Sequence, residues 1–204
     1  MKKLTLFLSS FLFLLSSCAP QATETSQPIT PQPLTVMTHD SFSVSEGVVT
    51  AFETANNAKV TFLQSGDAGS VLNKAILTKD APLADVLFGV DNTFLSRALE
   101  AEIFESYASP ELANIPAAFK LDPSSRALPV DYGDVCINYD KAYFAGNSLA
   151  VPQSLEDLTK PEYANLLVVE NPASSSTGLA FLLATVAHFG DGYLDYWRDL
   201  KANG

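Results

Sequence analysis

The chain has 204 residues, of which 47% are hydrophobic and 17% are charged, and its formal net charge is −11 at pH 7. This composition is sufficient for a folded domain with a sizeable core, and it excludes an intrinsically disordered protein. The acidic charge argues against nucleic acid as a partner. The sequence contains two cysteines, Cys18 and Cys136, and we expect Cys136 to be a small buried hydrophobe.

Residues 1–17 are typical of an export signal. Two lysines precede an apolar stretch, Leu4 to Leu15, that is too short to be a permanent membrane span. The following Leu15-Ser16-Ser17-Cys18 resembles a bacterial lipobox. That resemblance implies cleavage before Cys18, transfer of a diacylglyceryl group to its sulfur, and a stable anchor made of two acyl chains. A plain secretory signal with an incidental cysteine is the alternative.

A polar segment, Ala19 to Pro33, follows the cysteine and is rich in Pro, Thr, Gln and Ser. Such a composition cannot form a core, so residues 18–33 are interpreted as a flexible tether that starts at the lipidated cysteine.

From Leu34 the chain alternates strand and helix patterns, which predicts an α/β fold with a parallel sheet covered by helices. The predicted strands are Leu34 to Thr38, Lys59 to Leu63 and Ala84 to Val90. Because the carboxyl ends of parallel strands meet at one edge, we expect the loops after them to face a common crevice.

Three helices are predicted between and after these strands. The first follows a capping box of Ser43 and Glu46. The apolar faces of the three helices are predicted to be Val48, Phe52 and Ala55; then Val71, Leu72, Ala75 and Ile76; then Leu95, Leu99 and Ile103 within Asp91 to Glu105.

The second half begins with a Pro-punctuated connection, Tyr107 to Arg126, and a predicted long strand, Ala127 to Tyr139, that could cross between two lobes. The elements predicted after it are a helix from Ser154 to Asn165, a strand from Leu166 to Val169, and helices from Gly178 to Phe189 and Gly192 to Ala202. We therefore expect a first lobe at 34–133, and a hinge strand with a partial second lobe at 134–204. One strand with three helices cannot make a covered sheet, so either the chain is truncated, which we favour, or a partner completes it.

The loop 171–178 lies directly before an apolar helix, whose first amides have no partner within the helix and attract anions. Hydroxyls of Ser175 and Ser176 would complete a cradle for a phosphate, a carboxylate or a hydroxyl group. Ordinary capping by Ser176 or Thr177 is the alternative.

Asp67 lies between the second strand and its helix, where its carboxylate could bind a cation or amino group, or could cap the helix. His39 and Asp40 end the first strand at the same rim, and His39 could stack on a ligand or bind a metal. His188 and Trp197 are interpreted as structural residues. Because no catalytic or metal-binding motif is present, we expect no enzymatic activity, no cofactor and no metal.

Four stretches, LTVMTHDSF, ADVLFGVDNTFLSRALE, LPVDYGDVCINYDK and VVENPASSSTGLAFLLA, resemble extracytoplasmic solute-binding proteins of ABC importers. The resemblance is to the thiamine-binding branch of the two-lobed type II periplasmic-binding-protein fold, and it runs from about Leu34 to the end of the chain. It implies two lobes joined by a hinge, with the second lobe incomplete in this chain.

By the same resemblance, Asp67 with Ala68 and Ser175 with Ser176 match positions that contact thiamine or its phosphate. Tyr132 would line the hinge crevice, and His39 stands where the family often has a tyrosine. The aromatic residues that the family contributes from a later second-lobe segment would fall beyond residue 204.

The implied function is capture of thiamine or thiamine phosphate outside the cytoplasmic membrane, by a lipid-anchored monomer that delivers it to an ABC permease and its ATPase. Contacts from both lobes would favour the closed state. Two alternatives stay open: a ferric-iron-binding or other small-solute-binding lipoprotein of the same fold, and a membrane-tethered solute sensor. The sequence does not choose between free and phosphorylated thiamine.

Overall fold

A computed structural model describes residues 30–204. The predicted export signal, the predicted lipid-attachment residue Cys18 and the predicted tether up to residue 29 lie outside the described residues. Within 30–204, no helix is both long enough and apolar enough to cross a membrane.

The described residues form a three-stranded parallel sheet in the order β2-β1-β3. Its strands are β1, Gln32–Thr38; β2, Ala58–Gln64; and β3, Val86–Leu87. β1 pairs with β2 along its whole length, from Gln32 opposite Ala58 to Thr38 opposite Gln64. The predicted α/β class with a parallel sheet is confirmed.

The first strand starts earlier than predicted, because Gln32 and Pro33, assigned above to the tether, already belong to β1. A proline is tolerated here since it lies where β1 pairs with β2 alone; the pairing with β3 is confined to Val36 and Met37. Gln32 and Pro33 are therefore part of the sheet and not of the predicted tether.

Six α-helices occur in the described residues. They are α1, Glu46–Asn56; α2, Ala68–Leu77; α3, Leu95–Glu100; α4, Lys141–Gly146; α5, Ser176–Phe189; and α6, Tyr193–Ala202. Short 3-10 turns occupy Pro110–Asn114, Ala117–Phe119, Glu156–Thr159, Pro161–Tyr163 and Gly190–Gly192. Only α4 was not predicted. Its signal is Asp140, whose carboxylate accepts hydrogen bonds from the amides of Ala142 and Tyr143 at 2.8 and 3.1 Å.

The core beside the sheet is the group Leu72, Phe94 and Ala98, here called the sheet cluster. Leu72 confirms the predicted buried face of α2. The face predicted for the next helix is displaced, because Phe94 and Ala98 are buried whereas Leu95 and Leu99 are only half-buried. Asp91 causes this displacement: its carboxylate accepts hydrogen bonds from the amides of two following residues, and α3 begins only after that capped turn.

Three expectations for α1 and the third strand are wrong. The N-cap of α1 is Ser45, not Ser43. The side chains of Val48 and Phe52 are 59% and 44% exposed, because α1 lies beside β2 at the edge of the described sheet. The third strand is short and Val86 is 46% exposed, since β1 alone pairs with β3 within residues 30–204.

The predicted long strand at 127–139 does not form; the segment has no regular secondary structure. Val130 and Val135 are 72% and 53% exposed, and Cys136 is exposed rather than buried. An extended segment becomes a strand only when a neighbour supplies hydrogen bonds. No strand of the described residues pairs with this segment. The predicted strand at 166–169 is absent for the same reason, and Val168 is 91% exposed.

The predicted helix at 154–165 is replaced by two 3-10 turns, Glu156–Thr159 and Pro161–Tyr163. Pro161 explains the break, because a proline lacks the amide hydrogen of a helix interior and disfavours helical geometry in the residue before it.

A second core, formed by Leu158, Tyr196 and Leu200 and here called the helical cluster, joins these turns to α6. Trp197 packs against it and donates a hydrogen bond to the buried Thr185 hydroxyl at 2.8 Å, which confirms a packing role. His188 lies in the last turn of α5, and its hydrogen bond at 2.7 Å lowers the pKa of the Glu156 carboxyl.

A buried carboxylate organises the connection between the two cores. Asp122 is 8% exposed and accepts hydrogen bonds from the Ser124 hydroxyl at 2.6 Å and from the amides of Ser124, Arg126 and Ala127. The Ser124 hydroxyl, together with these amides, lowers the pKa of the Asp122 carboxyl well below its ordinary value of 3.8.

We expect Asp122→Asn to lower the free energy of unfolding at pH 7 by about 1–3 kcal/mol, because an amide cannot accept this set of hydrogen bonds. A lowered folded-state pKa stabilises the fold above the ordinary value of 3.8, and this contribution is lost as the pH falls further. The difference between the two proteins should therefore shrink at pH 3. Urea denaturation at both pH values measures it, with the exposed Asp131→Asn as control. Equal stability of wild type and Asp122→Asn at pH 7 would contradict this role.

Candidate ligand-binding site

The starts of two helices from distant parts of the chain meet in the structure. The amide of Gly69, in the first turn of α2, donates a hydrogen bond to the carbonyl of Ser174 at 2.9 Å, directly before α5. Leu179 of α5 also packs against the sheet cluster. The predicted pairs Asp67 with Ala68 and Ser175 with Ser176 thus flank one contact, here called the helix-start junction.

The junction leaves no room for a side chain at position 69 of α2. A Cβ atom at Gly69 would lie 2.9 Å from the Ser174 carbonyl oxygen, and 3.1 Å from both the Ala173 carbonyl oxygen and Cζ of Phe94. Distances this short require a neighbour to move, and two of these neighbours are backbone atoms. Glycine at position 69 is therefore what allows the two helix starts to touch.

Asp67 has the backbone position of an N-cap but does not cap α2 with its side chain. Its backbone carbonyl accepts the first helical hydrogen bond, from the Val71 amide at 2.9 Å. The side chain is exposed, and no hydrogen bond or ion pair within residues 30–204 engages its carboxylate. The Asp67 side chain therefore does not cap the helix. Its carboxylate lies at the positive end of the α2 dipole and is available to a ligand.

Asp40 holds the loop that carries Asp67. Its Oδ1 accepts a hydrogen bond from the Gly66 amide at 2.8 Å, and its own amide donates to the Gly66 carbonyl at 3.0 Å. The Gln64 side chain adds a third bond, to the Asp40 carbonyl, at 3.2 Å. Asp40 is thus engaged with the loop from β2 to α2, and it positions the residue before Asp67.

His39 belongs to an aromatic group at the carboxyl ends of the strands. Its ring centroid lies 5.9 Å from that of Phe88 and 6.4 Å from that of Phe42, and its Nδ1 is 3.1 Å from the Ser41 hydroxyl. The sequence reasoning did not single out Phe42 or Phe88. Phe88 directly follows β3, and Phe42 lies in the loop after β1. Their signal was this place at the edge of the sheet where ligands of parallel sheets bind.

On the other side of the junction, Ser175 is 6% exposed and caps α5 by accepting a hydrogen bond from the Gly178 amide at 3.2 Å. Capping by Ser176 or Thr177, the alternative given above, is therefore wrong in its residues: Ser175 caps the helix, and Ser176 and Thr177 are its first two residues. The hydroxyls of Ser175 and Thr177 both donate to Oε2 of Glu170, the former at 2.5 Å. Sequence reasoning missed Glu170.

A glycine also brings Glu170 close to the helix. A Cβ atom at Gly178 would lie 2.3 Å from the Glu170 carbonyl oxygen, so the loop can fold back on α5 only because position 178 has no side chain. The approach places the Glu170 side chain at the hydroxyls of the first helical turn.

The structure does not bring Tyr132 to this junction. Its side chain is 78% exposed and its ring stacks on Phe119, with centroids 4.6 Å apart and planes at 18°. No hydrogen bond or ring contact of residues 30–204 links it to Asp67 or Ser175. Ala68 packs its methyl group against the sheet cluster. Within residues 30–204, no group of three His, Cys, Asp or Glu side chains could hold a metal ion.

Comparison with solved structures defines the class of protein. The chain is similar to the periplasmic binding protein P5PA, with a TM-score of 0.68 and 25% identity over 84% of this chain and 56% of that chain. It is also similar to a periplasmic thiamin binding protein, with a TM-score of 0.62 and 26% identity over 85% of this chain and 54% of that chain. The fold is that of the type II periplasmic binding proteins, as the resemblance implied.

Residues 81–204 match the family described as bacterial extracellular solute-binding protein, and the chain belongs to that family. Curated relatives include the thiamine-binding periplasmic proteins of Salmonella typhimurium, 30% identical over 96% of this chain, and of Escherichia coli, 30% identical over 92% of it. The chain spans 57% of the length of each of these relatives.

We expect Gly69→Ala to lower the free energy of unfolding by about 1–3 kcal/mol, the usual cost of overpacking, because the new methyl group pushes the two helix starts apart. Gly47→Ala is the matched control: it lies in α1 with nothing within 4 Å of the added Cβ, and it should be neutral or stabilising. Urea denaturation compares the two variants. Equal stability of both would contradict a tight junction.

Proposed function

We propose that the protein captures thiamine outside the cytoplasmic membrane and delivers it to an ABC importer. The observation that supports this most is the Asp67 carboxylate, which no hydrogen bond or ion pair within residues 30–204 engages. The contact between Gly69 and Ser174 holds it beside the loop 171–178, here called the serine loop. The names of the curated relatives, thiamine-binding periplasmic proteins, agree with this cargo.

The chemistry of thiamine fits the groups around the helix-start junction. Thiamine carries a permanently charged thiazolium, an aminopyrimidine and a hydroxyethyl arm, which need an acidic partner, an aromatic face and polar groups. In this proposal Asp67 pairs with the cation or accepts from the amino group. The aromatic group around His39 lies at the same edge of the sheet, next to the loop that Asp40 fixes. The serine loop supplies the polar groups, and Tyr132 would reach the ligand only after a rearrangement.

The proposed mechanism is closure around the ligand. Residues 34–133 would form the first lobe and 134–204 the start of the second, so that Asp67 and Ser175 belong to different lobes. A ligand favours the closed state only as far as it binds that state more tightly, and contacts from both sides of the junction provide that difference. No bond of the ligand is broken in this step.

The rest of the proposal concerns location and partners. We propose that Cys18 carries the lipid anchor, that the segment after it is the tether, and that the protein acts as a monomer. The partners are an ABC permease and its ATPase. Membership of the extracellular solute-binding family supports a binding subunit in preference to an enzyme.

We expect Asp67→Ala to weaken thiamine binding by at least tenfold, or about 1.4 kcal/mol, because the cation loses its charged partner. Isothermal titration of the complete purified protein measures this. Asp80→Ala is the matched control, since Asp80 is exposed and follows the other end of the same helix. Unchanged affinity in Asp67→Ala would refute the role of Asp67, and no thiamine binding by the wild type would refute the proposed cargo.

A further inference from the structure

The start of α5 already holds an anion of the protein itself. Oε2 of Glu170 accepts hydrogen bonds from the hydroxyls of Ser175 and Thr177, which are the groups that would otherwise be offered to an anionic ligand. Ser175 is 6% exposed and its hydroxyl also accepts from the Gly178 amide, so it has little freedom to turn elsewhere. A phosphate could use these hydroxyls only by displacing Glu170.

The charges around the helix-start junction have the same sign. Asp67 lies at the start of α2 and Glu170 at the start of α5, and within residues 30–204 no ion pair joins either carboxylate to a lysine or arginine. Lys74 is directed to the Ser65 hydroxyl, 3.1 Å from its Nζ. The two carboxylates therefore attract a cation and repel an anion at the place where the two helix starts would otherwise attract one.

From this arrangement we propose that Glu170 is a specificity-determining residue that makes the site select unphosphorylated thiamine over its phosphate esters. This inference rests on the proposed function and adds that the ligand is free rather than phosphorylated thiamine. The hydroxyl of the ethyl arm can donate a hydrogen bond to a carboxylate, whereas a phosphate in its place has no such hydrogen to spare and adds like charge. The Glu170 carboxylate thus occupies the start of α5, as a bound phosphate does at the helix starts of other proteins.

Titration of the complete purified protein with thiamine and with thiamine monophosphate tests the proposal. We expect the wild type to prefer thiamine by about tenfold or more, and Glu170→Gln to reduce that preference by about fivefold, mainly through tighter binding of the monophosphate. The glutamine oxygen can still accept the two hydroxyl hydrogen bonds, so the cap of α5 is kept while its charge is removed.

One control variant separates the charge of Glu170 from other effects. Glu162→Gln removes the same charge from an exposed position outside the junction and should leave the preference unchanged. If Glu170→Gln fails to fold, the salt dependence of the wild type tests the proposal. The wild-type preference for thiamine over the monophosphate should fall as the salt concentration rises from roughly 50 to 500 mM, because salt screens the charge of Glu170.

The outcomes distinguish this inference from the proposed function. Wild-type protein that binds thiamine and the monophosphate equally, or a Glu170→Gln variant with the wild-type preference, would overturn the role of Glu170 while leaving thiamine as the cargo. Binding of neither compound would overturn both. A preference of the wild type that does not change with salt would also contradict the charge-based selection.

Discussion

The hydrogen bond from the Gly69 amide to the Ser174 carbonyl joins two helix starts that, left to themselves, would repel one another. Each start presents amides without helical partners and carries a partial positive charge. Bringing them into contact is favourable because a carbonyl lies between them and because carboxylates lie on both sides, Asp67 at α2 and Glu170 at α5. The contact that holds distant parts of the chain together therefore also brings an acidic side chain to each helix start, where we propose that the ligand binds.

Several weaker features support this contact and keep the site in place. Asp40 fixes the loop before Asp67, and Leu179 buries its side chain against the sheet cluster. Glycines at 69 and 178 allow backbone to approach backbone on each side. Gly69, Gly178 and Leu179 lie on helices, and Asp40 fixes the loop before α2. On each side of the junction the candidate ligand groups are therefore held locally before a ligand arrives, which lowers the entropic cost of binding.

Local patterns predicted much of the fold, since β2, α2, α5 and α6 are set by apolar periodicity and by residues that start and end helices. They also placed Asp67 directly before α2 and Ser175 in the loop before α5. Tertiary pairing decided the rest. The segment 127–139 has the alternation of a strand, yet it stays irregular and leaves Cys136 exposed because no described strand pairs with it. The hydrogen bonds of Glu170 depend on how the loop folds back on α5, which sequence periodicity does not encode.

Whether the two helix starts form one ligand site can be tested by following backbone amide resonances of the complete protein during a thiamine titration. If they do, amide resonances on both sides of the junction shift with the same dependence on thiamine concentration; these are the resonances of Ala68, Gly69, Ser175 and Ser176. The resonances of Thr50 and Ala51 in α1 do not shift. Shifts confined to one side of the junction, or found only elsewhere in the chain, would show that the two helix starts do not bind the ligand together.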